Sequence, residues 1–158
     1  MALGTLLPYW PAILFAYLEP LSLLLGTQTA WTDPTRFATT QVPDDGTILT
    51  PSIACLSYTI GNIFLLLLLV AVLCLFISRE ARVARFYLLF VALGDLGHIY
   101  SSYRAMGPRK FWDFGNYNDI MWGNIGASAF LCVNRVATLM GVFGAVGSVK
   151  GGKKVKRV

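Results

Sequence analysis

Apolar residues gather into four long stretches along the chain, and charged residues fall mainly between them. The clearest stretch is 53–78, which no charged residue interrupts; from Phe64 to Ile77 it is almost wholly Leu, Val, Ile, Phe and Ala. At 1.5 Å per residue, a helix of that length outreaches the roughly 30 Å hydrocarbon core of a bilayer. Pro51 suits its first turn, where a missing N–H costs nothing. The first stretch, about 3–25, is broken by Pro8, Pro11, Pro20 and Glu19. It lacks the basic segment of a signal peptide and reads as a retained, kinked span. The third, about 86–103, carries Asp95 and His98; the fourth, about 120–149, carries Asn124, Asn134 and Arg135. Gly123, Gly126, Ala127, Gly141, Gly144 and Gly147 are expected to give the fourth span small faces for close packing. The expected fold is all-α: a polytopic membrane protein, with a four-helix transmembrane bundle over 1–149 and a basic tail at 150–158.

Composition agrees with the pattern. Charged residues make up 13% of the 158-residue chain, about half the roughly 25% of a soluble domain. The net charge of +5 resides in Lys150, Lys153, Lys154, Lys156 and Arg157, which leaves a neutral body. That distribution excludes a nucleic-acid surface and names the bilayer as partner, the tail suiting an anionic leaflet. Cys55, Cys74 and Cys132 lie in apolar stretches without metal-ligand spacing and read as small hydrophobes.

The loops set an orientation. Arg79, Arg82, Arg85 and the five tail residues fall on one side, whereas Arg36, Arg104, Arg109 and Lys110 fall on the other. The positive-inside rule then puts both termini in the cytoplasm and loops 27–51 and 104–119 in the lumen. Trp31, Trp112 and Trp122 all fall at the lumenal boundary, which suits indole rings. Lysines at the third and fifth positions from the C-terminus, Lys156 and Lys154, match a dibasic endoplasmic reticulum retrieval signal. A plain positive-inside anchor explains them equally well.

Ionisable groups inside spans are costly, at about 2.5–3.5 kcal/mol or more each, and mark candidate sites. Glu19, Asp95, His98 and Arg135 are the candidate acid–base residues. Asp95, His98 and Ser102 share one helical face by their i, i+3, i+7 spacing. Asn124, Ser128, Arg135 and Thr138 line another face, and Cys55, Thr59 and Asn62 form a mildly polar stripe. If these faces converge in the lumenal half, Arg135 pairs with Glu19 or Asp95, and the unpaired acid retains a proton to give to a lipophilic substrate. Asn62, Trp112, Trp122 and Asn124 are the candidate substrate-binding residues, and the aromatic segment 104–120 is either a lid over such a pocket or an interfacial belt. The bland alternative makes the charged residues interhelical links that fix packing. With a single histidine, no zinc site is expected, nor does any motif point to another cofactor.

Three stretches carry a family resemblance: Phe15 to Pro20 with its Glu19-Pro20 pair, Gly94 to Tyr100 with Asp95 and His98, and Trp122 to Gly126 followed by Arg135. Together they resemble a family of small four-span fungal membrane proteins classed as a domain of unknown function, some encoded beside secondary-metabolite genes. The resemblance implies a fold and a biosynthetic setting but no activity. At the level of topology alone, the chain is similar to sterol isomerases of the emopamil-binding family and to fungal membrane-bound terpene cyclases, whose acidic residues protonate lipophilic substrates. The expectation is an endoplasmic reticulum protein of lipophilic-metabolite biosynthesis (terpenoid or polyketide type), acting as a cofactor-free cyclase or isomerase. A non-catalytic accessory protein that binds pathway enzymes is the alternative, and a transporter, which four spans would support only as an oligomer, the third.

Overall fold

The computed structural model describes residues 2–42, 46 and 48–147. The chain is all-helical, with no strand among the described residues. Helix α1 (Tyr9–Thr32), α3 (Pro51–Ile77) and α4 (Ala81–Phe111) are each long and apolar enough to cross a membrane. A short α2 (Pro34–Thr39) links the first two, and α5 occupies residues 119–139.

Local chemistry sets the helix starts. Asp33 caps α2 by accepting from the Arg36 amide at 3.0 Å, with Pro34 behind it. Thr50 caps α3 through the Ile53 amide at 3.2 Å, with Pro51 in the first turn as expected. Asn118 caps α5 through the Met121 amide at 2.8 Å. Each side chain satisfies an amide that the first helical turn leaves without an intrahelical partner.

Helix α1 departs from the expected 3–25. Pro8 stands immediately before its first turn, and the preceding segment is not helical, with Leu3 and Gly4 at φ 51° and 77°. That segment folds inward instead, burying Thr5 and Leu7. At the other end, Thr27, Thr29 and Thr32 donate to carbonyls four residues back and stay helical. Between these ends, residues Ile13–Leu18 form a π-helical turn directly before Glu19-Pro20. Proline has no N–H and its ring crowds the carbonyl four residues back, so a widened turn relieves the clash.

Helix α4 outruns its expected 86–103 at both ends, breaking only at Gly107 (φ 73°) before Pro108. The fourth stretch falls short of its expected 120–149: α5 stops at Leu139. Gly141, at φ 82°, takes the left-handed conformation that ends a helix, and its amide donates to the Thr138 carbonyl at 3.0 Å. Gly144 and Gly147 also have positive φ, so these three glycines turn the chain, and Gly147 additionally lets it close on Ala81, which a Cβ there would meet at 2.5 Å. Residues 140–147 return across the end of the bundle, where the Gly147 amide donates to the Leu6 carbonyl at 2.8 Å. The basic tail 150–158, with its proposed retrieval signal, lies outside the described residues.

Helix α1 packs along α3, and α4 along α5. Gly61 permits the first contact: a Cβ there would meet the Trp31 indole at 2.7 Å. Thr27 Oγ1 also donates to the Gly61 carbonyl at 3.2 Å. The two pairs join through a core of Leu14, Phe15, Ala71, Leu75, Ala84, Leu88 and Val146. This core sits toward the end bearing Arg79, Arg82 and Arg85, the arginine end. The opposite end holds Trp31, Trp112 and Trp122 at the termini of α1, α4 and α5, and is the tryptophan end.

Candidate functional site

Above the apolar core, three helices each place one charged side chain at a common point. Arg135 of α5 is fully buried; its Nη2 donates to Glu19 Oε1 of α1 and its Nη1 to Asp95 Oδ2 of α4. The guanidinium lies over the Phe15 ring, 4.9 Å from its centroid. Glu19 and Asp95 are each only 9% exposed.

Helix geometry explains the convergence. Arg135 stands one turn from the end of α5, but Cα–Cβ bonds tilt toward a helix's N-terminus, so its side chain reaches back into the bundle. Phe15 and Glu19 are four residues apart on α1, so one helical face offers Arg135 both a ring and a carboxylate. Trp10, further back on α1, donates from Nε1 to Asn134 Oδ1 at 3.0 Å and fixes α5 against α1. Thr138 Oγ1 donates to the Asn134 carbonyl at 2.7 Å, closing the same turn.

The charges do not balance: two carboxylates face one guanidinium. Glu19 Oε2 is buried and has no hydrogen-bond partner among the described residues, and the same holds for Arg135 Nε. An unpaired anion in an apolar interior is strongly disfavoured, and such groups take up a proton instead. Among the described residues, no group of three His, Cys, Asp or Glu side chains is placed to hold a metal ion.

The remaining candidates lie elsewhere. His98 is one turn beyond Asp95 toward the tryptophan end, where it is exposed and hydrogen-bonded to Asn124. Asn124 in turn donates from Nδ2 to Gln41 Oε1 at 2.6 Å, and Asn118 Nδ2 donates to the Thr40 carbonyl at 3.1 Å. Trp112 and Trp122 belong to an aromatic array with Phe114, Tyr117 and the buried Phe111, whose rings meet mostly edge to face. Both tryptophans are at least half exposed and neither touches the charged centre. Asn62 is exposed on α3, because the α1-facing stripe belongs to Ser57 and Gly61. Among the described residues, the charged centre is therefore built from Glu19, Asp95 and Arg135 alone. With α1 beginning at Tyr9, Glu19 is about 15 Å along that helix, near its middle.

Phe15 packs against this centre and the Trp10–Asn134 pair braces it; sequence reasoning named none of the three as site residues. Asn134 had a signal, since a second polar residue beside Arg135 in an apolar run is costly without a partner. Trp10 had none, because nothing local distinguishes it from an interfacial anchor.

No curated protein and no solved structure is significantly similar to the chain. A family model for a domain of unknown function, DUF7704, matches residues 4–145, a stretch that includes Glu19, Asp95, His98, Asn124 and Arg135. The chain accordingly belongs to the DUF7704 family.

Proposed function

We propose that this protein is a membrane-embedded acid catalyst, a cofactor-free cyclase or isomerase of lipophilic-metabolite biosynthesis, with Glu19 as its proton donor. The observation that supports this reading is the pairing of one guanidinium with two buried carboxylates, one of which leaves Glu19 Oε2 without a partner. One bound proton brings the centre from −1 to neutral, and Oε2 is a fully buried oxygen free to hold it. Protonation of a substrate double bond or epoxide from Oε2 leaves the Glu19 carboxylate beside Arg135, which stabilises the charge just formed. The substrate cation then loses a proton to a neighbouring base, for which His98 is the candidate, and proton return to Glu19 completes a cycle with no net change in protons.

The same reading makes residues 119–139 the fourth span. They extend about 30 Å, enough to cross the hydrocarbon core, and they pack along α4. The positive-inside rule then places the arginine end and both termini in the cytoplasm. The endoplasmic reticulum as location, and a fungal biosynthetic pathway as setting, rest on the tail lysines and on the sequence resemblance.

A second reading is favoured by the complete burial of Arg135 between three helices: the centre is a structural tie in a non-catalytic accessory protein. Metabolite profiling of a host carrying Glu19→Gln separates the two. An acid catalyst gives loss of product at normal protein abundance, because glutamine keeps the shape but delivers no proton. Normal product at normal abundance removes the catalytic reading.

A further inference from the structure

At the arginine end, the first turns of α4 present Arg82, Arg85, Phe86 and Leu89 at i, i+3, i+4 and i+7, a single helical stripe. Ala84, Tyr87 and Leu88 are buried in the core. With Leu139 at the end of α5, the stripe lines an open groove of about 600 Å³. We propose that this groove holds an anionic glycerophospholipid, its phosphate on Arg82 and Arg85 and one acyl chain along Phe86, Leu89 and Leu139.

The argument is one of depth and charge. From residue 82 to residue 89 a helix rises about 10 Å, which takes the stripe from headgroup level into the hydrocarbon. Both guanidiniums are oriented without being used up. Arg82 lies over the Phe86 ring at 5.7 Å from its centroid, and Arg85 Nη2 donates to the Val146 carbonyl at 3.1 Å. Each retains further N–H donors in the planar fork that matches phosphate oxygens. Among the described residues, no carboxylate forms an ion pair with either. Glu80, the nearest acid in sequence, is exposed and likewise in no ion pair there. A free phosphate would satisfy the arginines but leave the apolar floor uncovered. A neutral lipid would cover the floor and leave two cations unmatched. This inference is independent of the proton chemistry proposed for Glu19.

Native mass spectrometry of the full chain, extracted from phosphatidylcholine nanodiscs doped with phosphatidylserine, tests it. The wild type is expected to retain one phosphatidylserine. The double variant Arg82→Gln/Arg85→Gln is expected to hold it about 25-fold less well, about fivefold per arginine. Leu89→Trp, which fills the groove without changing charge, is expected to lose the lipid too, while Arg104→Gln at the opposite end keeps it. Circular dichroism matched to wild type establishes that each variant is folded. Equal loss from Arg104→Gln would overturn the proposal in favour of diffuse attraction. Retention by Leu89→Trp would overturn the acyl-chain seat, and displacement of the lipid by inorganic phosphate alone would make the site one for free anions.

Discussion

Two polar groups interrupt this apolar bundle, and they are built differently. At the centre, Glu19, Asp95 and Arg135 come from three helices, are almost wholly enclosed and, among the described residues, have one another as their only charged partners. At the tryptophan end, His98, Asn124 and Gln41 form a chain of hydrogen-bonded side chains that are half-buried or exposed. The first group exists only when the fold is complete, because each charge is tolerable in hydrocarbon only with its partners in place. The second lies near the helix ends, where water can substitute for any missing member. A polar residue in a span therefore reports on the fold when it is charged and central. Near a helix end it reports mainly on depth.

The largest effect expected from this contrast follows removal of the shared cation. Arg135→Met leaves two acids enclosed without a counter-charge, at a cost of about 3–5 kcal/mol. Thermal unfolding in detergent and steady-state abundance both check this. Replacing all three charges together, Arg135→Met with Glu19→Gln and Asp95→Asn, should recover most of the loss, since an apolar substitute for a buried ion cluster is often neutral. A triple variant as unstable as the single would show that Arg135 acts through shape alone.

Next in size is neutralisation of one acid. Glu19→Gln or Asp95→Asn leaves a matched pair with Arg135, so stability should change by no more than about 1.5 kcal/mol. If the centre carries a catalytic proton, either change abolishes product at near-normal abundance: the first removes the donor, and the second leaves Glu19 as the only anion for Arg135. If abundance and product fall in step, the centre is a structural tie. Adding Arg135→Gln to Asp95→Asn sharpens the result: it leaves Glu19 without a counter-charge, so abundance should fall below that of Asp95→Asn alone.

The unequal legibility of these two regions follows from the same physics. Charges inside apolar runs are visible in a sequence because each needs a reason to be there, so Glu19, Asp95 and Arg135 could be singled out without coordinates. Their depth could not be read, because Pro8 and Gly141 move the ends of α1 and α5 several residues inward from the limits of apolar composition. Composition marks what can enter a bilayer, whereas prolines and positive-φ glycines decide where a helix stops. Asn62 stands apart from the charged centre for a related reason. Its polar stripe with Cys55 and Thr59 is real, but Gly61 allows α1 closer than any polar residue does and turns the adjacent stripe inward. The pairing of Trp10 with Asn134 was invisible because it joins residues that share no local pattern.

Trp10→Phe tests one such partner and carries the third-largest effect. It removes the Nε1 bond to Asn134 Oδ1 and little packing, for a loss of about 1 kcal/mol in the unfolding free energy. A loss as large as that of Arg135→Met would mean that Trp10 belongs to the charged centre and does not merely brace it.

The smallest effect is expected at the tryptophan end, and there the two readings of His98 separate. His98→Ala removes a hydrogen bond to Asn124 from an exposed position, so the unfolding free energy should change by about 0.5 kcal/mol or less. Gln41→Ala and Asn124→Ala each break the 2.6 Å bond between those side chains, and the double variant should show a coupling of roughly 0.5–1 kcal/mol. Product formation is the decisive readout. A base that takes the proton back from the substrate cation makes His98→Ala slow turnover strongly at unchanged stability, and His98→Gln fails to restore it because an amide cannot accept and return a proton. If His98 only braces Asn124, glutamine restores both stability and turnover. In that case the tryptophan end is an interfacial clasp, and the chemistry is confined to the three charged residues at the centre.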